Sequence, residues 1–144
     1  MEKIRILLAE DHKLIRETWT CIINMDERFE VIAACADTAE AISIAIAKHP
    51  DIVLMDINIL PLNGFQATAK LSEISPNCKV IGLSFHTEMV SVQKMFAAGA
   101  LGYLTKNSDC AELTEAIVRV YGGSKYVCSE MREKGFEVVA LSRV

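Results

Sequence analysis

Asp51 to Phe65 reads DIVLMDINILPLNGF. Ile52, Val53, Leu54 and Met55 make an unbroken apolar run of the kind buried on both faces of a parallel sheet. The run stops on a carboxylate, Asp56, and Asn58, Pro61 and Gly64 follow at once. A strand that ends on a charge and then turns marks a point where the chain leaves the core for a reason other than packing. The same event recurs along the sequence, and its recurrence decides the fold.

Four further short apolar runs read as strands: IRILLA (Ile4 to Ala9), FEVIAAC (Phe29 to Cys35), KVIGLS (Lys79 to Ser84) and GYLT (Gly102 to Thr105). Between them the spacing is helical. Leu14, Ile15, Thr18, Trp19, Ile22 and Ile23 share one face, Met89, Val92, Met95 and Phe96 another, and Leu113, Ala116, Ile117, Val120 and Tyr121 a third. Ile42, Ile44 and Ile46 alternate as a strand would, but Asp37 with Glu40 offers a capping box and Pro50 a stop, so this segment is read as helix. Asp109 with Glu112 is a second candidate capping box, and Gly99 and Gly122 are candidate helix stops.

Five strands alternating with five helices predict an α/β domain with a doubly wound parallel sheet. In such sheets chemistry collects outside the carboxyl ends of the strands. Those ends carry Glu10 and Asp11, then Asp56, then Ser84, then Thr105 and Lys106. Taken singly, Asp11 reads more readily as a helix N-cap, Ser84 as a turn residue and Lys106 as a solvated charge than as parts of a site. Together they predict three carboxylates, a hydroxyl and an ammonium on one rim. Like charges about 4 Å apart repel by roughly 4 kcal/mol at an effective dielectric near 20, so the cluster calls for a proton or a cation. Hard oxygen ligands favour Mg²⁺ beside a phosphate.

The totals agree with one folded domain: 144 residues, 51% hydrophobic and 24% charged. A formal charge of −4 and the lack of a basic cluster argue against direct nucleic-acid binding by this segment. The cysteines, Cys21, Cys35, Cys78, Cys110 and Cys128, form no CxxC pair and read as small buried hydrophobes in a reducing cytosol. MEKIRILLAEDH meets acids before any long apolar stretch, unlike a signal peptide, and no segment has the apolar length of a membrane span.

The combination of LLAEDH, IVLMDINI, VIGLS and GALGYLTK resembles the receiver domain of bacterial two-component response regulators over Ile4 to Gly123, and the segment from Ala97 to Gly123 is similar to the LuxR-type (NarL-like) subfamily. The resemblance implies a flavodoxin-like (βα)5 fold with strand order 2-1-3-4-5. It implies that Asp56 accepts a phosphoryl group from a histidine kinase. Asp11, Asp56 and the backbone carbonyl of Asn58 would hold Mg²⁺, Glu10 would support that shell through water, and Ser84 and Lys106 would bind phosphoryl oxygens. Tyr103 matches the aromatic that turns inward after phosphorylation, and Asn58 and His86 border the path of the hydrolytic water and are expected to tune phosphoryl lifetime. His86 as a plain loop residue is the competing reading, and His12 and His49 are read as surface or capping residues.

Two departures from the family pattern stand out: Leu60 and then Pro61 where proline is usual one position earlier, and Asn107 rather than proline after Lys106. The expected division is a receiver over 1–123 and a linker or tail over 124–144, read as the start of an effector domain not contained in the chain, with a natural single-domain receiver as the alternative. DNA would then be reached only through that missing domain, homodimerisation would fit the family, and the location would be cytoplasmic. A small Mg²⁺-dependent phosphohydrolase and a degenerate receiver that only binds partners are the rival readings.

Overall fold

The computed structural model describes residues 2–135. Along the chain run β1 (Ile4–Ala9), α1 (Lys13–Asn24), β2 (Phe29–Cys35), α2 (Thr38–Lys48), β3 (Ile52–Asp56), α3 (Gly64–Ile74), β4 (Lys79–Ser84), α4 (Met89–Ala97), β5 (Gly102–Thr105), α5 (Cys110–Tyr121), β6 (Tyr126–Val127) and α6 (Ser129–Glu133). The sheet is parallel throughout, with order β2-β1-β3-β4-β5-β6. The predicted winding and strand order hold, with one addition: a sixth, two-residue strand lies against β5, inside the segment expected to be a tail. Residues 136–144 of that segment lie outside the described residues.

Central strands carry the core. Every residue of β3 is buried, and Ile6, Leu7, Leu8, Ile81, Leu83 and Leu104 are inaccessible beside it. Helix faces depart from the sequence pattern in three places. On α1 only Trp19 and Ile23 are buried, while Leu14 is 76% exposed and Thr18 faces solvent. On α4, Val92 and Met95 are buried but Met89 is exposed. On α2 the buried face is Thr38, Ala41 and Ala45, with Ile46 exposed, which is why its isoleucines alternate without making a strand. Small residues let this helix approach the sheet closely. Among the cysteines, Cys35, Cys78 and Cys128 are buried as expected, whereas Cys21 and Cys110 are exposed.

Caps fix the helix starts. Asp37 accepts a hydrogen bond from the Glu40 N–H and Asp109 from the Glu112 N–H, both at 2.8 Å. Asn63 and Gln66 form a reciprocal capping box at the start of α3. The loop before it is tied down by Thr38, whose buried hydroxyl donates to the Leu62 carbonyl and accepts from the Leu62 N–H, both at 2.9 Å. The Leu60–Pro61 peptide in that loop is cis. Gly64 is required by proximity: a Cβ there would fall 2.5 Å from the Asp56 carbonyl oxygen. The glycine that closes DIVLMDINILPLNG thus lets α3 begin directly against the end of β3.

At the far edge, Tyr126 N–H donates to the Leu101 carbonyl and Cys128 N–H to the Tyr103 carbonyl, each at 3.0 Å, which covers the β5 edge. Glu112 of α5 anchors the same segment, accepting from Tyr126 Oη and Ser129 N–H at 2.9 Å and standing 3.7 Å from Arg132.

Candidate functional site

Parallel register brings the strand ends together. Ala9 lies beside Met55, Asp56 beside Leu83, and Ser84 beside Thr105, so the residues that follow emerge on one edge. Glu10, Asp56 and Ser84 are fully buried there and Asp11 is exposed. Lys106, whose side chain is 2% exposed, places Nζ 2.6 Å from Glu10 Oε1 and 3.3 Å from Asp56 Oδ1. Ligand atoms of Glu10, Asp11, His12 and Asp56 all lie within 4.8 Å of one another. Glu10, Asp11, Asp56 and Lys106 thus gather in one pocket, whereas the Thr105 hydroxyl turns away from it and donates to Glu130 at 2.6 Å.

Three carboxylates and one ammonium leave a formal charge of −2 in the pocket. Burial pushes the Asp56 carboxyl up to about 7, reinforced by the Glu10 charge and by Asp11, against the pull of Lys106 and the Asn58 N–H. Asp11 moves the other way. Although partial burial opposes it, contacts with Asp56, Glu10 and His12 hold its carboxyl below the usual range. Asp56 Oδ1 accepts from Asn58 N–H at 3.2 Å, while Oδ2 is buried with no hydrogen-bond partner among the described residues. The Lys106 contact with Glu10 Oε1 is likewise a charge contact rather than an aligned hydrogen bond. A net −2, two buried carboxylate oxygens without aligned donors and three carboxylates in the cluster, with His12 as its one nitrogen ligand, fit a hard divalent cation such as Mg²⁺.

On the other flank, Ser84 Oγ accepts from His86 N–H at 2.8 Å, and Tyr103 donates to the His86 carbonyl at 2.8 Å. Tyr103 is fully buried, so in this structure its ring is already turned inward. Burial pushes its phenol up to about 12. Asn58 Nδ2 and His86 Nε2 face each other at 3.2 Å across the pocket mouth. The sequence put both residues near the site but gave no sign that they pair. His12 starts α1 as its N-cap without a side-chain cap bond, and its Nδ1 is instead 3.1 Å from Glu10 and 3.2 Å from Asp11. It belongs to the rim of the acidic pocket as well as to the helix start. Phe85, not singled out by the sequence, lies with its ring centroid 5.0 Å from Lys106 Nζ. His49 is remote, a left-handed C-cap on α2. The Lys106–Asn107 peptide is trans.

A doubly wound sheet with an acid cluster, a hydroxyl and a lysine at its carboxyl edge carries its candidate site where such folds collect their chemistry. Comparison with known proteins makes this specific: residues 6–118 match the response regulator receiver domain, and the chain belongs to that family, in its NarL-like branch. It is 38% identical over 125 residues to the transcriptional regulatory protein DegU of Brevibacillus brevis, covering 87% of this chain and 53% of that protein. It is 32% identical over 141 residues to the response regulator UvrY of Escherichia coli O157:H7, covering 98% and 63%. Among solved structures, a LuxR-family two-component response regulator from Aurantimonas sp. SI85-9A1 superposes with a TM-score of 0.87 at 30% identity, covering 99% of both chains. The chain thus spans just over half to under two-thirds of the length of these curated relatives. Among the described residues, no helix is long and apolar enough to cross a membrane.

Proposed function

We propose that this chain is a phosphoacceptor switch in which Asp56 takes a phosphoryl group from the phosphohistidine of a histidine kinase. The observation that carries the reading is the buried Glu10–Lys106–Asp56 constellation at the sheet edge, with Asp56 Oδ2 left without a hydrogen-bond partner. Phosphoryl transfer asks a protein chiefly for alignment and neutralisation of charge, and these residues supply both. Asp11, Asp56 and the Asn58 carbonyl would hold Mg²⁺, with Glu10 behind them through water. When bound, the ion would offset the pocket's negative charge and polarise the incoming phosphoryl oxygens.

The chain's own groups do the rest. The Asn58 N–H fixes the Asp56 carboxylate, which attacks phosphorus through an oxygen and displaces the kinase imidazole. Lys106 then moves its charge from the carboxylates to a phosphoryl oxygen, and the Ser84 hydroxyl hydrogen-bonds another. Ser84 and Tyr103 hold the same residue, at the His86 N–H and carbonyl respectively, so a change of partner at Ser84 shifts the β4–α4 loop and the face beside β5. Asn58 and His86, paired across the mouth, set how readily water removes the phosphoryl group.

The output follows from the relatives, which are regulators of greater length: residues 1–123 act as the receiver and the following segment leads to an effector that controls transcription in the cytoplasm, alone or as a homodimer. Incubation with Mg²⁺ and acetyl phosphate, followed by intact-mass measurement, tests the reading. One labile phosphoryl group per chain, absent from Asp56→Ala, is the expected result. Turnover of many equivalents would indicate a phosphohydrolase, and no incorporation would indicate a receiver that works by binding alone.

A further inference from the structure

Phe85 is half exposed, directly after a fully buried serine, in a chain that buries most of its large apolar residues. Its ring covers the Lys106 ammonium at 5.0 Å, and the His12 ring meets it edge-on at 6.4 Å with an interplanar angle of 82°. The neighbours of these rings in the fold give the contact a direction. His12 stands in the β1–α1 loop and Phe85 in the β4–α4 loop, and the sheet order β1-β3-β4 sets Asp56, at the end of β3, between those two loops. The two rings thus bridge the approach to the buried carboxylate from both sides. The Lys106 ammonium, between Glu10, Asp56 and the Phe85 ring, belongs to a side chain only 2% exposed, and the ring is part of what shields it.

We infer that Phe85, with His12 edge-on beside it, is an aromatic lid over Asp56 that slows the passage of water and of small phosphoryl donors, and so selects for a donor presented by a protein that can displace the ring. This inference rests on the phosphoacceptor reading. Both reactions at the site use the same mouth. In phosphorylation by acetyl phosphate, the P–O bond to acetate breaks as a bond forms between phosphorus and an Asp56 oxygen, and acetate leaves with the electron pair. In hydrolysis, a water oxygen bonds phosphorus, the Asp56–phosphorus bond breaks, orthophosphate leaves and a proton passes to solvent. A lid lowers both rates, whereas a ring that merely held Lys106 in place would speed phosphorylation.

The test is a size series, Phe85→Leu, Phe85→Val and Phe85→Ala, in the full chain with Mg²⁺, following phosphoryl gain from acetyl phosphate and its loss after the donor is removed. Both rates should rise as the side chain shrinks, reaching at least about threefold in Phe85→Ala, with Phe85→Leu nearest the unsubstituted chain. Unchanged rates, slower phosphorylation, or acceleration in one direction only would overturn the lid. Thermal melts confirm that each variant is folded, and the leucine and valine forms keep the series readable if alanine is not tolerated. Failure of the unsubstituted chain to gain any phosphoryl group would defeat the phosphoacceptor reading itself, while normal gain with a flat series would defeat the lid alone.

Discussion

Two acids, one on α5 and one at the end of β3, are treated in opposite ways. Glu112, on α5, accepts hydrogen bonds from Tyr126 Oη and Ser129 N–H at 2.9 Å, has Ser129 Oγ at 3.3 Å, and lies 3.7 Å from Arg132. Asp56 is more deeply buried, shares a single lysine with Glu10, and keeps one oxygen without a donor. The first carboxylate is satisfied by its own fold and holds the β6–α6 segment in place. The second is costly to the fold until something else arrives, which is the mark of a site rather than a strut.

This contrast is open to measurement. Asp56→Ala should abolish phosphoryl incorporation by intact mass, whereas Glu112→Ala should leave it within about twofold. Stability should respond in the reverse sense. The Asp56 carboxyl sits near 7 in the fold against 3.8 for the ordinary group. Its folded value is raised, so the fold is penalised progressively as pH climbs from about 4 to about 7 and fully above that. Asp56→Asn should therefore stabilise the metal-free protein by at most about 4 kcal/mol at pH 8 and by almost nothing at pH 4, read from denaturant midpoints at the two pH values. Added Mg²⁺ should narrow the difference at pH 8 by stabilising the unsubstituted chain.

Glu112→Ala should instead destabilise by about 1–3 kcal/mol, because Tyr126 Oη and Ser129 N–H lose their acceptor. Smaller effects fall on the residues that surround each acid. Asn58→Ala and His86→Ala should each change phosphoryl lifetime by a few-fold, and the double variant by less than the product, since the two side chains contact each other. Glu130→Gln, which alters the acceptor of the Thr105 hydroxyl bond at 2.6 Å, should cost about 1 kcal/mol or less with phosphorylation unchanged.

The alternation of apolar runs with helical segments was enough to find five strands and a doubly wound sheet, while their order in the sheet came from the family resemblance. The site was legible because Glu10, Asp11, Asp56, Ser84 and Lys106 all terminate strands, and a parallel sheet has one carboxyl edge. β6 was hidden because Tyr126–Val127 is too short to show any periodicity, and it exists through backbone bonds to Leu101 and Tyr103 and through Glu112. Leu14 and Met89 were grouped with buried faces by spacing alone, but both sit in the first turn of their helices and are exposed. Phe85 was invisible for another reason: nothing in a strand-end phenylalanine announces that its partner is a lysine twenty-one residues later.

The most direct test is to locate the modified atom. After phosphorylation with Mg²⁺ and acetyl phosphate, borohydride reduction converts an aspartyl phosphate to homoserine, and peptide mass spectrometry reads its position. Homoserine at residue 56 alone is the predicted result. Homoserine at Asp11, Asp51 or any other carboxylate, or none in a chain that has consumed donor, would contradict the role given to Asp56.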